Sequence, residues 1–216
     1  MTVPPTAATD DRQNNVAAAD ASAVAGLRAE LGHWRERARR LELVANRRRH
    51  SYTLQTALYR IADLSGSDVD MVDFFAKLHA IMRELIYAEN LFVVLTDEDR
   101  RKLSVVYYAD SVDTNTDIAA LQNMDYEHFS GTLTAMVLAS GDALFANADM
   151  IAALEATGEV KVDTGAEEHC VDWLGCPLKI GQRILGGIAV QSYDHDNRYR
   201  ASDKKLMLFI SRHIAT

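Results

Sequence analysis

The sequence predicts an α+β fold with a central, mainly antiparallel sheet flanked by helices. Three observations lead there. Two pairs of β-branched and aromatic runs are each joined by a short turn, as hairpins require. Strong helical periodicity lies on either side of them. The strands also cluster instead of alternating one by one with helices, which argues against a parallel sheet.

The elements follow in chain order. Residues 1–26 are mostly Ala, Thr, Asp, Asn and Pro, with few large apolar side chains. Such a segment buries too little surface to offset chain entropy, so a disordered tail is expected. From residue 27, Leu27, Leu31, Trp34, Ala38, Leu41 and Ala45 recur at spacings of four and three. That is an a/d seam of about three heptads, a coiled-coil-like helix over 27–50. Gly32 weakens it and Arg47, Arg48 and Arg49 interrupt it. A second phase, Leu54, Leu58 and Ile61, carries the helix to Leu64, where Ser65-Gly66-Ser67 stops it. Residues 70–87 form an amphipathic helix with Val72, Phe75, Leu78, Met82, Leu85 and Ile86 on one face.

The period then changes to two. Leu91–Thr96 and Leu103–Ala109 read as a hairpin across the charged loop 97–102. A short helix over Thr132–Ala139 ends at Gly141, and Ala143–Phe145 is a short strand. Asp149–Thr157 is a helix capped by Asp149 and stopped by Gly158. Trp173–Ile180 and Ile184–Tyr193 form the second hairpin. The last helix starts at a Ser202 cap and turns Leu206, Phe209, Ile210 and Ile214 inward. It ends without a stop signal, so the natural protein is expected to continue. One sheet face is left for the long helices. The irregular region 110–172 covers the other, where a pocket would form.

Charge narrows the function classes. The net charge is −8 over 216 residues. Residues 27–49 hold eight Arg and three Glu, and residues 1–26 three Asp and one Arg, leaving −11 on the rest. An acidic globular part does not attract nucleic acid. The interspersed Arg and Glu of the helix read as a solvated coiled-coil face, with no nucleic-acid or membrane partner. No export signal or spanning run is visible, and two cysteines make no disulfide framework, so the cytoplasm is the expected compartment.

Two blocks resemble the GAF family, as found upstream of GGDEF (diguanylate cyclase) and histidine-kinase modules. One is FFAKLHAIMRELIYAENLFVVLTDED at 74–99 followed by LSVVYYADSVD at 103–113. The other is VDWLGCPLKIGQRILGGIAVQSYD at 171–194 followed by YRASDKKLMLFISRHIA at 199–215. The resemblance spans about residues 54–216 and implies a GAF sensory domain over 51–216. It implies a regulatory function: sensing a small molecule, or relaying a conformational change to an attached output such as a diguanylate cyclase. It also implies a last helix leading into that output, and a parallel homodimer through the N- and C-terminal helices.

Two departures matter. The segment Phe129-Ser130-Gly131-Thr132-Leu133-Thr134 has one glycine fewer than the family's Gly-x-Gly-Leu-Thr turn, which removes support for backbone capture of an anion. The Asn-Lys-x-x-x-Glu-like signature of cyclic-nucleotide-binding relatives is absent.

Strand alternation and the resemblance place Tyr108, Asp110, Leu133, Trp173, Cys176, Ala189 and Gln191 around the pocket, with Gly175, Gly186 and Gly187 as a small-residue floor. Asp110 and Asp113 either face the pocket or cap the loop after their strand. His169, Cys170, Asp172 and Cys176 have metal-ligand residue types, but adjacent His-Cys suits one tetrahedral ion poorly, so no metal is expected. Asp194-His195-Asp196 reads as a solvated turn. No catalytic constellation or nucleotide loop is present, so no cyclase, kinase or reductase activity is expected. The alternatives are a redox-active GAF enzyme or switch using Cys170 and Cys176, or a purely structural dimerisation module with a collapsed pocket. The sequence identifies neither ligand nor cofactor.

Overall fold

The computed structural model describes residues 8–66, 68–161 and 170–215. The chain divides into two compact units, Met1–Thr53 and Leu54–Thr216.

Helix α1 runs over Ala8–Ser65. It therefore includes residues 8–26, expected as a disordered tail. Alanine, abundant there, has the highest helix propensity, and that local preference needs no core. Residues 1–7 lie outside the described residues. In the first unit Leu27, Leu31, Trp34 and Leu41 are exposed, Trp34 to 61%. The guanidinium of Arg37 lies 5.7 Å from the centre of the Trp34 ring.

The second unit holds the end of α1 and every later element. Helix α2 (Met71–Arg83) starts where the Asp70 carboxylate accepts the Asp73 N–H at 2.9 Å, a side-chain cap. Strands β1 (Asn90–Thr96) and β2 (Lys102–Ala109) form the first hairpin. In its loop Asp97 Oδ1 accepts the N–H groups of Arg101 and Lys102 at 2.7 and 3.0 Å. A two-residue strand β3 (Met124–Asp125), invisible to periodicity, pairs with β2. Helix α3 (Leu133–Ser140), strand β4 (Leu144–Asn147) and helix α4 (Ala148–Thr157) follow. Both helices end at left-handed glycines, Gly141 and Gly158. The cap of α4 is Asn147, not Asp149: its side-chain oxygen accepts the Met150 N–H at 2.9 Å.

Strands β5 (Asp172–Ile180) and β6 (Arg183–Ser192) form the second hairpin, and α5 spans Ala201–Ile214. Helix α5 opens at Arg200 instead of Ser202. The Asp203 carboxylate reaches back to accept the Arg200 N–H at 2.7 Å, half of a capping box.

The sheet order is β3-β2-β1-β6-β5-β4, with every pairing antiparallel. One face is covered by helices. Ala57, Ile61 and Leu64 of α1, Phe75, Leu78 and Met82 of α2, and Met207 and Ile210 of α5 pack on Leu91, Val93, Leu174, Cys176, Ile188 and Val190. His79 ties α2 to this layer. Its Nε2 lies 2.5 Å from the Ala88 carbonyl and its Nδ1 2.9 Å from the Tyr107 hydroxyl. A carbonyl only accepts, so Nε2 carries the proton and Nδ1 accepts from Tyr107. Burial lowers the His79 pKa, in keeping with this neutral ring.

Backbone proximity constrains the centre of the sheet. A Cβ on Gly186 would stand 2.0 Å from the Val94 carbonyl oxygen. We therefore expect Gly186→Ala to destabilise the protein by about 2–3 kcal/mol, the upper range for forcing bulk into a packed core. Urea unfolding of the two proteins, compared at the same m-value, measures it.

Candidate functional site

The face of the sheet away from the long helices borders a cavity of about 1020 Å³. Its floor is Phe92 and Val94 of β1, Val105 and Tyr108 of β2, Trp173 of β5 and Gln191 of β6. Thr132, Leu133 and Thr134 at the start of α3, and Ile151, Ala152 and Glu155 of α4, close it from above. Asp113, Phe129, Lys161, Cys170 and Tyr193 also border it.

Strand parity explains the floor. Phe92 and Val94 alternate with Leu91, Val93 and Leu95, which face the helices. On β2 the two cavity residues, Val105 and Tyr108, are three apart, which simple alternation forbids. The register resolves this: Val93 pairs with Tyr107 and Val94 with Val105, leaving Val106 as an extra residue. That bulge resets the parity, so both residues reach the cavity.

Of the residues expected around the pocket, Tyr108, Leu133, Trp173 and Gln191 line the cavity. The other three stand elsewhere. Cys176 faces the opposite way, in the helix-side core with Leu174 and Leu178. No bulge lies between Trp173 and Cys176, so residues three apart must point to opposite faces. Ala189 shares the face of Trp173 but is buried in a cluster with Trp173 and Val137, behind the wall. Asp110 also stands behind it. Its Oδ2 accepts from Gln191 Nε2 at 2.6 Å and from the Tyr193 hydroxyl at 3.0 Å. Its Oδ1 accepts the N–H groups of Val112 and Asp113 at 2.9 and 3.0 Å. Asp110 therefore caps its loop and buttresses the floor at once. Asp113 accepts from the Tyr108 hydroxyl at 3.2 Å and from Thr116. The Thr116 hydrogen bond is the main cause that lowers the Asp113 pKa.

The small-residue floor also differs from expectation. A Cβ on Gly175 would lie 2.1 Å from the Trp173 ring. The indole therefore lies across Gly175 and fills the gap, while Gly186 is needed by the backbone of β1. Phe92, Tyr193, Lys161 and Cys170 were not anticipated. Phe92 and Tyr193 follow the same alternation as Val94 and Gln191, so their signal was present. Lys161 lies in an irregular segment and gave none.

Asp172, adjacent to the cavity wall, is fully buried. Its carboxylate accepts from Arg198 Nε and from the Tyr199 N–H, both at 2.8 Å. That engagement leaves it unsuited as a metal ligand. His169 lies outside the described residues, and among those described no cluster of three or more His, Cys, Asp or Glu is placed to hold a metal ion. The Asp194 side chain accepts from the Asp196 N–H and from Asn197, a local turn.

The two thiols are far apart. Cys170 Sγ lies 3.2 Å from the Asp172 carbonyl. From Asp172 to Cys176 the strand advances about 13 Å at ~3.3 Å per residue. Disulfide geometry needs Cα atoms within about 7 Å, so a Cys170–Cys176 bond would require unfolding β5.

No family model matches the chain, and no curated protein matches it. Solved structures do. The GAF domain of a phosphoenolpyruvate-protein phosphotransferase from Coxiella burnetii is 12% identical with a TM-score of 0.59, covering 76% of this chain and 91% of that one. Residues 122 to 287 of a methyl-accepting chemotaxis protein are 11% identical with a TM-score of 0.56, covering 72% and 92%. A free methionine-R-sulfoxide reductase from Neisseria meningitidis is 12% identical with a TM-score of 0.54, covering 75% and 86%. The chain has the GAF fold. Among the described residues no helix is long and apolar enough to cross a membrane.

Two predictions follow from the wall. Gly175→Ala should displace the Trp173 indole, shifting its emission and lowering stability by about 1–3 kcal/mol; fluorescence in a Trp34→Phe background reads Trp173 alone. Burial pushes the Cys170 thiol up to about 12. The thiolate is the reactive form, so a raised pKa means slow reaction at pH 8 and acceleration as pH rises. Iodoacetamide labelling of Cys170, followed by mass spectrometry, should be at least about a hundredfold slower at pH 8 than that of an exposed thiol.

Proposed function

We propose that the chain is a regulatory sensory module that binds a small organic molecule in the cavity and relays its occupancy to the flanking helices. The cavity carries this reading. About 1020 Å³ suits a metabolite-sized ligand, and its wall combines aromatic rings with a few converging polar groups. The likeness to the GAF domain of a phosphotransferase and to a segment of a methyl-accepting chemotaxis protein supports regulation as the class of function.

A route outward exists on one side. Cys170 and Trp173 form part of the wall, and Asp172 between them grips Arg198 and Tyr199, just ahead of α5. Movement of that wall moves the start of α5. In our reading α5 passes the signal to an output module such as a diguanylate cyclase or histidine kinase in the cytoplasm. The exposed Leu27, Leu31, Trp34 and Leu41 pair with a second copy in a parallel homodimer to which α5 contributes.

A reductase role has less support. The likeness to a methionine sulfoxide reductase keeps that class in view. The single cavity thiol, Cys170, is held protonated by burial, and Cys176 is on the far side of the sheet.

Mass spectrometry of the purified protein, native and then denatured, should release a bound small molecule, and Leu133→Trp, which narrows the cavity beside Trp173 and Phe92, should reduce its retention. An empty wild-type protein whose melting temperature is unmoved by a broad metabolite library would sink the sensory reading. For the dimer, light scattering should give twice the chain mass for the intact protein and the monomer mass without residues 1–50. Equal monomer masses for both at tens of micromolar would overturn it.

A further inference from the structure

The cavity's polar groups indicate the charge of what it holds, an inference that rests on the cavity being a binding site. Around Gln191 at the sheet wall the side-chain donors of Tyr108, Tyr193 and Gln191 are spent. The Tyr108 hydroxyl donates to Asp113 at 3.2 Å. The Tyr193 hydroxyl donates to Asp110 at 3.0 Å and accepts from Gln191 Nε2 at 2.7 Å. Gln191 Nε2 also donates to Asp110 at 2.6 Å. A carboxylate can only accept, so this contact fixes the amide orientation and points Oε1 elsewhere. Gln191 Oε1 accepts from no group among the described residues.

Beside Gln191 Oε1 the wall therefore offers a lone pair and no free proton, and a ligand group seated there must be the donor; another polar atom of the floor, the Trp173 indole nitrogen, is a donor only. Charge favours the same partner. Among the described residues two carboxylates, Asp113 and Glu155, border the cavity against one ammonium, Lys161, with Asp110 directly behind the wall. Lys161 is itself placed beside Ser130 and Gly131, its Nζ 3.5 Å from Ser130 Oγ. Aromatic rings, Phe92, Tyr108, Phe129, Trp173 and Tyr193, border the space among aliphatic side chains such as Val94, Val105, Leu133 and Ile151. Aromatic faces attract cations through the ring quadrupole and repel anions for the same reason. Against Gln191 Oε1 and the aromatic faces an anionic group would meet an unpaired acceptor and ring quadrupoles, losing interactions with both.

We propose that the cavity binds an organic cation: an apolar or aromatic body bearing a protonated amine or amidine, whose N–H groups donate to Gln191 Oε1 and whose charge is balanced by Asp113. The body lies against Phe92 and Trp173. Lone acceptors select against neutral analogues lacking a donor, and the carboxylates select against anions.

Three probes of equal body and different charge test it on the full chain by calorimetry: tryptamine (cationic), tryptophol (neutral) and indole-3-acetate (anionic). Tryptamine should bind at least tenfold more tightly than indole-3-acetate, with tryptophol between. Asp113→Asn, at the exposed rim, should weaken tryptamine at least threefold while leaving tryptophol unchanged. Gln191→Leu should weaken tryptamine and tryptophol, whose side chains carry a donor, more than indole-3-acetate, with circular dichroism confirming the fold. Tighter binding of indole-3-acetate would overturn the cationic class while leaving the cavity a binding site. Binding of tryptamine that Leu133→Trp does not reduce would place it outside the cavity and overturn the proposal. No binding by any probe at millimolar concentration overturns it too; the released-ligand measurement then decides separately whether the cavity is a sensor.

Discussion

Strands β5 and β6 form a single layer of backbone between two unlike environments, and the rest of the domain depends on that division. On one side Leu174, Cys176, Leu178, Ile188 and Val190 pack with α2, α5 and the end of α1. On the other, Trp173 and Gln191 border the cavity. Because side chains alternate with period two, the two sets cannot drift independently. A one-residue slip would put Gln191 into the apolar core and Val190 into the cavity. The hydrophobic layer under the helices thus fixes the register, and the register fixes which groups face the cavity.

This is why much of the fold could be read from the sequence and less of the site. Runs such as Leu91–Thr96 and the apolar face of α2 announce themselves because each satisfies one period throughout. Caps were harder, since Asn147 and Asp149 are both good caps and only the helix start decides between them. Gln191 borders the cavity on the face that parity assigns it, whereas Cys176 lies in the helix-side core. Placing Trp173 and Cys176 on one face requires a bulge between them, and the register has none. Conversely, Val105 and Tyr108 share a face only because Val106 bulges out, and nothing in Leu103-Ser104-Val105-Val106-Tyr107-Tyr108 marks which residue will be extra. The cover of the cavity, from Asp110 to Cys170, has little periodicity to read at all.

The cavity persists because its neighbours are occupied, not because its floor is bare. Small residues in β5 and β6 suggested an open patch. Instead Gly175 admits the indole of Trp173, and Gly186 admits the backbone of β1. The empty space lies farther out, between that aromatic floor and helices α3 and α4. A wall made this way is stiff at the sheet, where ring and strand interlock, and softer at the cover, where short helices are joined by irregular chain.

Any transmission from such a cavity must use an energy difference between states, since a ligand indifferent to both shifts nothing. Under the proposed relay, Asp172 would be its most sensitive contact. Its buried carboxylate relies on two partners, the Arg198 guanidinium and the Tyr199 N–H, and both belong to the segment leading into α5. A buried carboxylate that loses a partner incurs a cost of several kcal/mol, whereas the half-exposed Arg198 can turn to water with little loss. The two ends of the contact are therefore unequal. In the proposed relay, displacing β5 at Trp173 would draw the segment 198–200 after the carboxylate, because following is cheaper than leaving it unpaired. The hydroxyl of Tyr199, buried and without a partner among the described residues, lies in the same segment.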